Sequence, residues 1–124
     1  MYLINYKTAV KKSAIHGYGV FAKQNIAKGE VIEECPFLKT HGDNSKNHKG
    51  ITGYVFDFYG KASALVLGYG SLYNHSYKPS AYYEYHQRRN IYVFVASKKI
   101  KANEEIFISY GKRYWNSDNR KQPK

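Results

Sequence analysis

Three short stretches carry residue types that could do chemistry. Gly17-Tyr18-Gly19-Val20-Phe21-Ala22 places two glycines one residue apart. Lacking a Cβ, they let backbone approach a ligand closely, although a bare Gly-x-Gly is more often only a turn. It is not a dinucleotide fingerprint, because the remaining glycine is missing and no amphipathic helix follows. Tyr73-Asn74-His75-Ser76-Tyr77-Lys78-Pro79 sets an amide beside an imidazole. A nucleophilic triad fails here for want of a nucleophile motif, and by itself the stretch reads as a turn with a surface histidine. Glu104-Glu105-Ile106-Phe107-Ile108-Ser109-Tyr110-Gly111 is a strand ending in Tyr-Gly, whose tyrosine alone would be a core aromatic.

The elements that must position these residues are short and mostly extended. Thr8 to Ser13 and Val20 to Lys23 read as strands separated by the turn Gly17-Tyr18-Gly19. Glu30 to Leu38 reads as one strand after the turn Lys28-Gly29-Glu30, ending near Pro36. Tyr54 to Tyr59 and Ser63 to Leu67 are further strand candidates. Tyr82 to Tyr85 and Asn90 to Ala96, rich in aromatic and β-branched residues, form a hairpin with Gln87-Arg88-Arg89-Asn90 at its tip. Ile106 to Tyr110 is the last strand. His41 to Gly50 is polar and rich in turn residues, so its two histidines read as parts of a solvated loop rather than metal ligands. No segment holds a helical period and no repeat or linker divides the chain.

Composition bounds the rest. A chain of 124 residues with 43% hydrophobic content suits one globular domain, and fourteen tyrosines lean it towards a mainly β fold. Cys35 is the only cysteine, which excludes an internal disulfide and a multi-cysteine zinc site and fits a small buried residue in a reducing compartment. No apolar run nears the roughly 18 residues of a membrane span, and the N-terminus is no secretory signal, so a soluble intracellular protein is expected. The formal charge of +11 attracts polyanions, or is simply a well-solvated lysine surface.

Taken in order, the three stretches resemble the SET-domain family of protein-lysine methyltransferases. The family has a Gly-x-Gly-hydrophobic-Phe turn, then Asn-His-Ser with a proline shortly after, then a Glu-Glu-hydrophobic strand ending in Tyr-Gly. Ala27-Lys28-Gly29-Glu30-Val31-Ile32 and Ile100-Lys101-Ala102-Asn103-Glu104-Glu105 fit the flanking phrases. The chain looks most similar to the minimal stand-alone viral SET proteins, which also end in a Tyr-Trp tail. The resemblance implies a single SET domain over residues 1–124, with its core at about 8–115 and a basic tail at 116–124. Its fold would be several small curved sheets with few short helices and a C-terminal pseudoknot that brings the second and third stretches together.

The implied activity is methyl transfer from S-adenosylmethionine to a lysine nitrogen, releasing S-adenosylhomocysteine and needing no metal. Such an in-line displacement asks for a neutral amine, alignment and little water, and tyrosines supply cation-stabilising faces and orienting hydroxyls. By resemblance, Tyr110 is the catalytic tyrosine. Tyr54, Ile108 and Tyr114 line the substrate lysine channel, with Tyr54 and Tyr114 open to being plain packing aromatics. Gly17, Tyr18, Gly19, Asn74, His75, Tyr110 and Trp115 contact the cofactor, Trp115 on the adenine unless it only pins the C-terminus. Ile108 stands where the family carries an aromatic multiplicity switch, and an aliphatic residue there leaves room to go beyond monomethylation. Tyr77 and Ser80 depart from the Cys and Asn common near Asn-His-Ser, Ser80 able to supply part of the lost hydrogen bonding. Ser109 replaces a common Asp, and Asn103 replaces a Gly as the next best residue for a left-handed turn.

The implied substrate is a histone tail, H3 by default, in chromatin. A basic enzyme repels such a tail at long range. Acidic residues such as Asp57, Glu84 and Glu104 near the peptide groove, contact with nucleosomal DNA, or a non-histone substrate would each resolve this. The competing reading is a basic nucleic-acid or chromatin-binding module on a silent SET fold, its Tyr82, Tyr83, Tyr85, Arg88, Arg89 and Tyr92 stacking and contacting phosphate. Pairing of two copies through the tyrosine-rich strands is a further expectation, as is residence in a cytoplasm or a host nucleus.

Overall fold

The computed structural model describes residues 5–40, 55–57 and 63–109. Ten strands among them form three small sheets. In the first, β1 (Thr8–Lys12) and β2 (Tyr18–Ala22) make an antiparallel hairpin. Ser13 N–H donates to the Gly17 carbonyl at 2.8 Å, and Gly17 adopts φ +49°, closing the turn. Tyr18 and Gly19 pair with Lys12 and Lys11, so of the expected glycine turn only Gly17 lies in the bend. Lys11 and Lys12 are exposed on the edge strand, where their charges discourage further pairing.

β3 (Val31–Cys35), β8 (Ala81–His86) and β9 (Ile91–Ala96) form the second sheet, with β9 central. Every residue of β9 is buried: Tyr92, Phe94 and Ala96 join the main core, while Ile91, Val93 and Val95 pack with Val31 on the other face. The expected hairpin tip is present, with Asn90 at φ 55° and its N–H on the His86 carbonyl at 2.7 Å. β4 (Phe37–Thr40), β5 (Val55–Asp57) and β6 (Ser63–Val66) form the third sheet.

The single strand expected over Glu30 to Leu38 is two. Pro36 has no N–H to give a ladder, and at that residue the chain leaves the second sheet for the third. A register shift between Val31 and Glu33 adds a bulge, after which Ile32 and Glu33 are both buried rather than alternating.

A 3-10 turn (Gly70–Leu72) leads into β7 (Asn74–His75), two residues long. Gly70 is obligatory, since a Cβ there would lie 2.2 Å from Val66 Cγ1. β10 (Glu105–Ile108) pairs antiparallel with β2 and parallel with β7, giving the order β1-β2-β10-β7. Asn103 turns the chain into β10 with φ 73°, as its place in a left-handed turn requires. The main core gathers around Phe94, stacked on Tyr73 at 4.6 Å and 15°. The loop His41 to Gly50, Tyr54 and the tail from Tyr110 onward lie outside the described residues.

Candidate active site

Two strands distant in sequence meet at the site. Phe107 pairs with Asn74 and Ile108 with His75 in a parallel ladder. Ser76 N–H extends it to the Ile108 carbonyl at 3.1 Å. Ser80 locks the same strand: its Oγ accepts from Phe107 N–H at 3.2 Å and its N–H donates to Phe107 O at 3.0 Å. Ser80 thus supplies hydrogen bonds at the position where the family has an asparagine.

Asn74, only 6% exposed, reaches across to the glycine hairpin. Its Nδ2 donates to the carbonyls of His16 (3.0 Å) and Tyr18 (3.1 Å) and lies 2.9 Å from Glu105 Oε2. Glu105 also accepts from Ser13 Oγ at 2.7 Å. Gly19 makes room for this carboxylate, since a Cβ there would stand 2.2 Å from Glu105 Oε2. His75 packs edge-on against Tyr77 at 5.4 Å. Burial pulls its imidazole below the usual value, so the ring is neutral near pH 7. Tyr18 and Tyr77 are largely exposed beside these groups.

A second carboxylate binds Tyr73, the residue that precedes β7. Glu33, 3% exposed, accepts from the Tyr73 hydroxyl at 2.6 Å and from Asn5 Nδ2 at 3.2 Å, with Tyr69 N–H at 3.4 Å. Burial pushes its carboxyl above the ordinary value, against the opposing pull of the Tyr73, Cys35, Tyr69 and Asn5 donors. Cys35 is fully buried beside it, and burial raises its thiol strongly, as an inert core residue requires.

The structure therefore brings Gly17, Tyr18, Gly19, Asn74 and His75 together and leads β10 towards Tyr110. Ile108 is 1% exposed and belongs to the core cluster. Tyr54, Tyr110, Tyr114 and Trp115 lie outside the described residues. Of the acidic residues considered for a peptide groove, Glu84 sits 3.1 Å from His86 and Glu104 accepts from Lys101 N–H. Sequence reasoning gave no role to Ser13, Glu33, Tyr73 or Glu105. Among the described residues no group of three His, Cys, Asp or Glu is gathered to hold a metal.

Residues 17–111 match the family model for the SET domain. The chain belongs to the SET-domain family. This SET domain is 33% identical over 105 residues to the Schizosaccharomyces pombe histone-lysine N-methyltransferase specific for H3 lysine-37, covering 82% of this chain and 71% of that one. It is 35% identical over 120 residues to the histone-lysine N-methyltransferase EZH2 of Chaetomium thermophilum, covering 81% of this chain but 8% of that protein. A crystal structure of a Plasmodium falciparum protein assigned as a histone methyltransferase superposes with a TM-score of 0.75 at 36% identity, covering 91% of this SET domain and all of that chain. A humanized mutant of the Chaetomium thermophilum Polycomb Repressive Complex 2, bound to the inhibitor GSK126, gives 0.69 at 26% identity, over 84% of this chain and 15% of that one. Homology to histone-lysine methyltransferases and a mainly β, several-sheet SET fold are thus established.

Proposed function

We propose that this SET domain is a protein-lysine N-methyltransferase that uses S-adenosylmethionine and acts on a histone tail. The observation that carries the reading is the parallel pairing of β7 with β10. It sets Asn74 and His75 beside the strand that runs into Tyr110. The residues present suit the cofactor: a polar side chain held against the glycine hairpin for its amino-acid end, and a neutral imidazole next to it. When bound, the cofactor supplies an electrophilic methyl group.

The chain's own work is binding, orientation and exclusion of water. Gly17, Tyr18, Gly19, Asn74 and His75 hold the cofactor, with Trp115 against the adenine. Tyr54, Ile108 and Tyr114 line the lysine channel, and the Tyr110 hydroxyl orients the amine at the methyl. An aliphatic Ile108 favours products beyond monomethyl-lysine. Charge frames the substrate: a chain at +11 and a basic histone tail repel at long range. Contact with nucleosomal DNA would offset this and fits residence in a nucleus; acidic residues lining the peptide groove, or a non-histone substrate, would do so equally. The likeness to minimal viral proteins, a single domain over the whole chain, and pairing of two copies belong to the same proposal.

Radiolabelled S-adenosylmethionine is incubated with core histones and with nucleosomes, beside a Tyr110→Phe variant. Label on one histone with wild type, lost in the variant, is the expected result. Cofactor binding without histone labelling would move the substrate to a non-histone protein. A folded protein that binds no cofactor would overturn the enzyme and leave a basic binding module.

A further inference from the structure

The nitrogen of Asn74 faces three oxygens, and all three can only accept. Two are main-chain carbonyls, of His16 and Tyr18, and the third is Oε2 of Glu105. Turning the amide over would set Oδ1 against three acceptors, so its orientation is decided by chemistry. Two N–H groups serve three acceptors, and Oδ1 is the half of the side chain that remains to accept from a ligand. Glu105 is itself held: Ser13 Oγ donates to its Oε1 at 2.7 Å while accepting from Ile15 N–H at 3.0 Å. The carboxylate fills the space that a side chain at residue 19 would take, with the hypothetical Cβ 2.2 Å from Oε2 and 3.1 Å from Asn74 Nδ2. The space left by the missing side chain of the second glycine is therefore taken by a carboxylate.

We infer that Glu105 is a positioning residue for the cofactor, with Ser13 as its support: it fixes the polarity of Asn74, so that a carbonyl oxygen is offered to the ammonium end of the ligand. This rests on the methyltransferase reading. Glu105 acts through Asn74, and that gives a signature which loss of packing would not reproduce. A double-mutant cycle isolates the coupling between two groups.

Binding of S-adenosylmethionine is measured by calorimetry for wild type, Glu105→Ala, Asn74→Ala and the double variant, with melting curves to confirm folding. Loss of a hydrogen bond to a charged group corresponds to about a tenfold change in affinity. Glu105→Ala is expected to weaken binding about tenfold in the wild-type background, and by less than about twofold when Asn74 is already alanine. Glu105→Gln, which keeps an acceptor for Asn74, restores most of the affinity. Should Glu105→Ala fail to fold, Ser13→Ala takes its place in the cycle, with about a threefold loss that vanishes in the Asn74→Ala background. Equal losses in both backgrounds, or unchanged affinity, overturn the inference while leaving the methyltransferase standing. A folded wild type that binds no cofactor removes both.

Discussion

Two carboxylates bind neighbouring residues, Tyr73 just before β7 and Asn74 at its start, and they do different work. Tyr73 is extended, so its side chain and that of Asn74 point to opposite faces. Tyr73 turns into the core, stacks on Phe94 and gives its hydroxyl to Glu33. Asn74 turns towards the glycine hairpin and gives its amide to Glu105. The Glu33 side is sealed among aromatic and aliphatic groups, where an unmade hydrogen bond has no water to replace it. The Glu105 side is half-buried and joins a hairpin to a strand. One carboxylate determines where β7 sits; the other determines which atom of Asn74 a ligand meets. Stability and site geometry are thus separable across a single peptide unit, and substitutions can test that separation.

The largest expected effect is on the sealed side. Tyr73→Ala removes a fully buried aromatic ring and the main donor to Glu33, costing about 3–5 kcal/mol of unfolding free energy in chemical denaturation. Tyr73→Phe keeps the ring and removes only the hydroxyl, for about 1–3 kcal/mol. Cofactor affinity in Tyr73→Phe should stay within about twofold of wild type, because Asn74 keeps its partners. If affinity falls in step with stability, the two sides are one unit and the contrast fails.

A pH series sharpens it further. Glu33 is raised in the folded state, so the native protein keeps a proton that the unfolded chain releases. Its stabilising contribution is full below the unfolded value near 4.5 and falls as pH rises above it. His75 is lowered, so its contribution is present above the unfolded value near 6.5 and is lost as pH falls through its folded value. Denaturation between pH 4 and pH 8 should show Glu33→Gln flattening the acidic portion of the curve and His75→Ala the portion below neutrality. Identical curves for all three proteins would refute both assignments. The smallest effect belongs to the Glu105 side: Ser13→Ala costs less than about 1 kcal/mol of stability, since its partners are within reach of water.

The sequence pattern exposes one of these sides better than the other. The aromatic and β-branched run of β9, the hairpin tip at Asn90 and the left-handed Asn103 follow from residue type. So does the placing of Asn74 and His75, given the resemblance to the family. Glu33 is hidden because the bulge after Val31 cancels the period of two, and Val-Ile-Glu-Glu offers no sign of which glutamate turns inward. Glu34, its neighbour, pairs instead with Arg89 at the surface. β7 is too short to register as a strand, and its partner lies far along the chain. Pro36 was legible as an end of a strand but not as a change of sheet. The role of Glu105 needs the distance to Asn74, which no spacing encodes.

The order of strands in the first sheet also governs how the molecule is made. β1 and β2 are joined by a short turn and can pair soon after they leave the ribosome. The other edge of β2 must wait for β10, where Phe21 meets Glu105. During synthesis and early folding that edge presents unsatisfied N–H and C=O groups to any passing strand. Closing so long a loop is slow compared with forming a hairpin. Residues 18–22, the ones that shape the ligand hairpin, are therefore exposed to mispairing until β10 arrives.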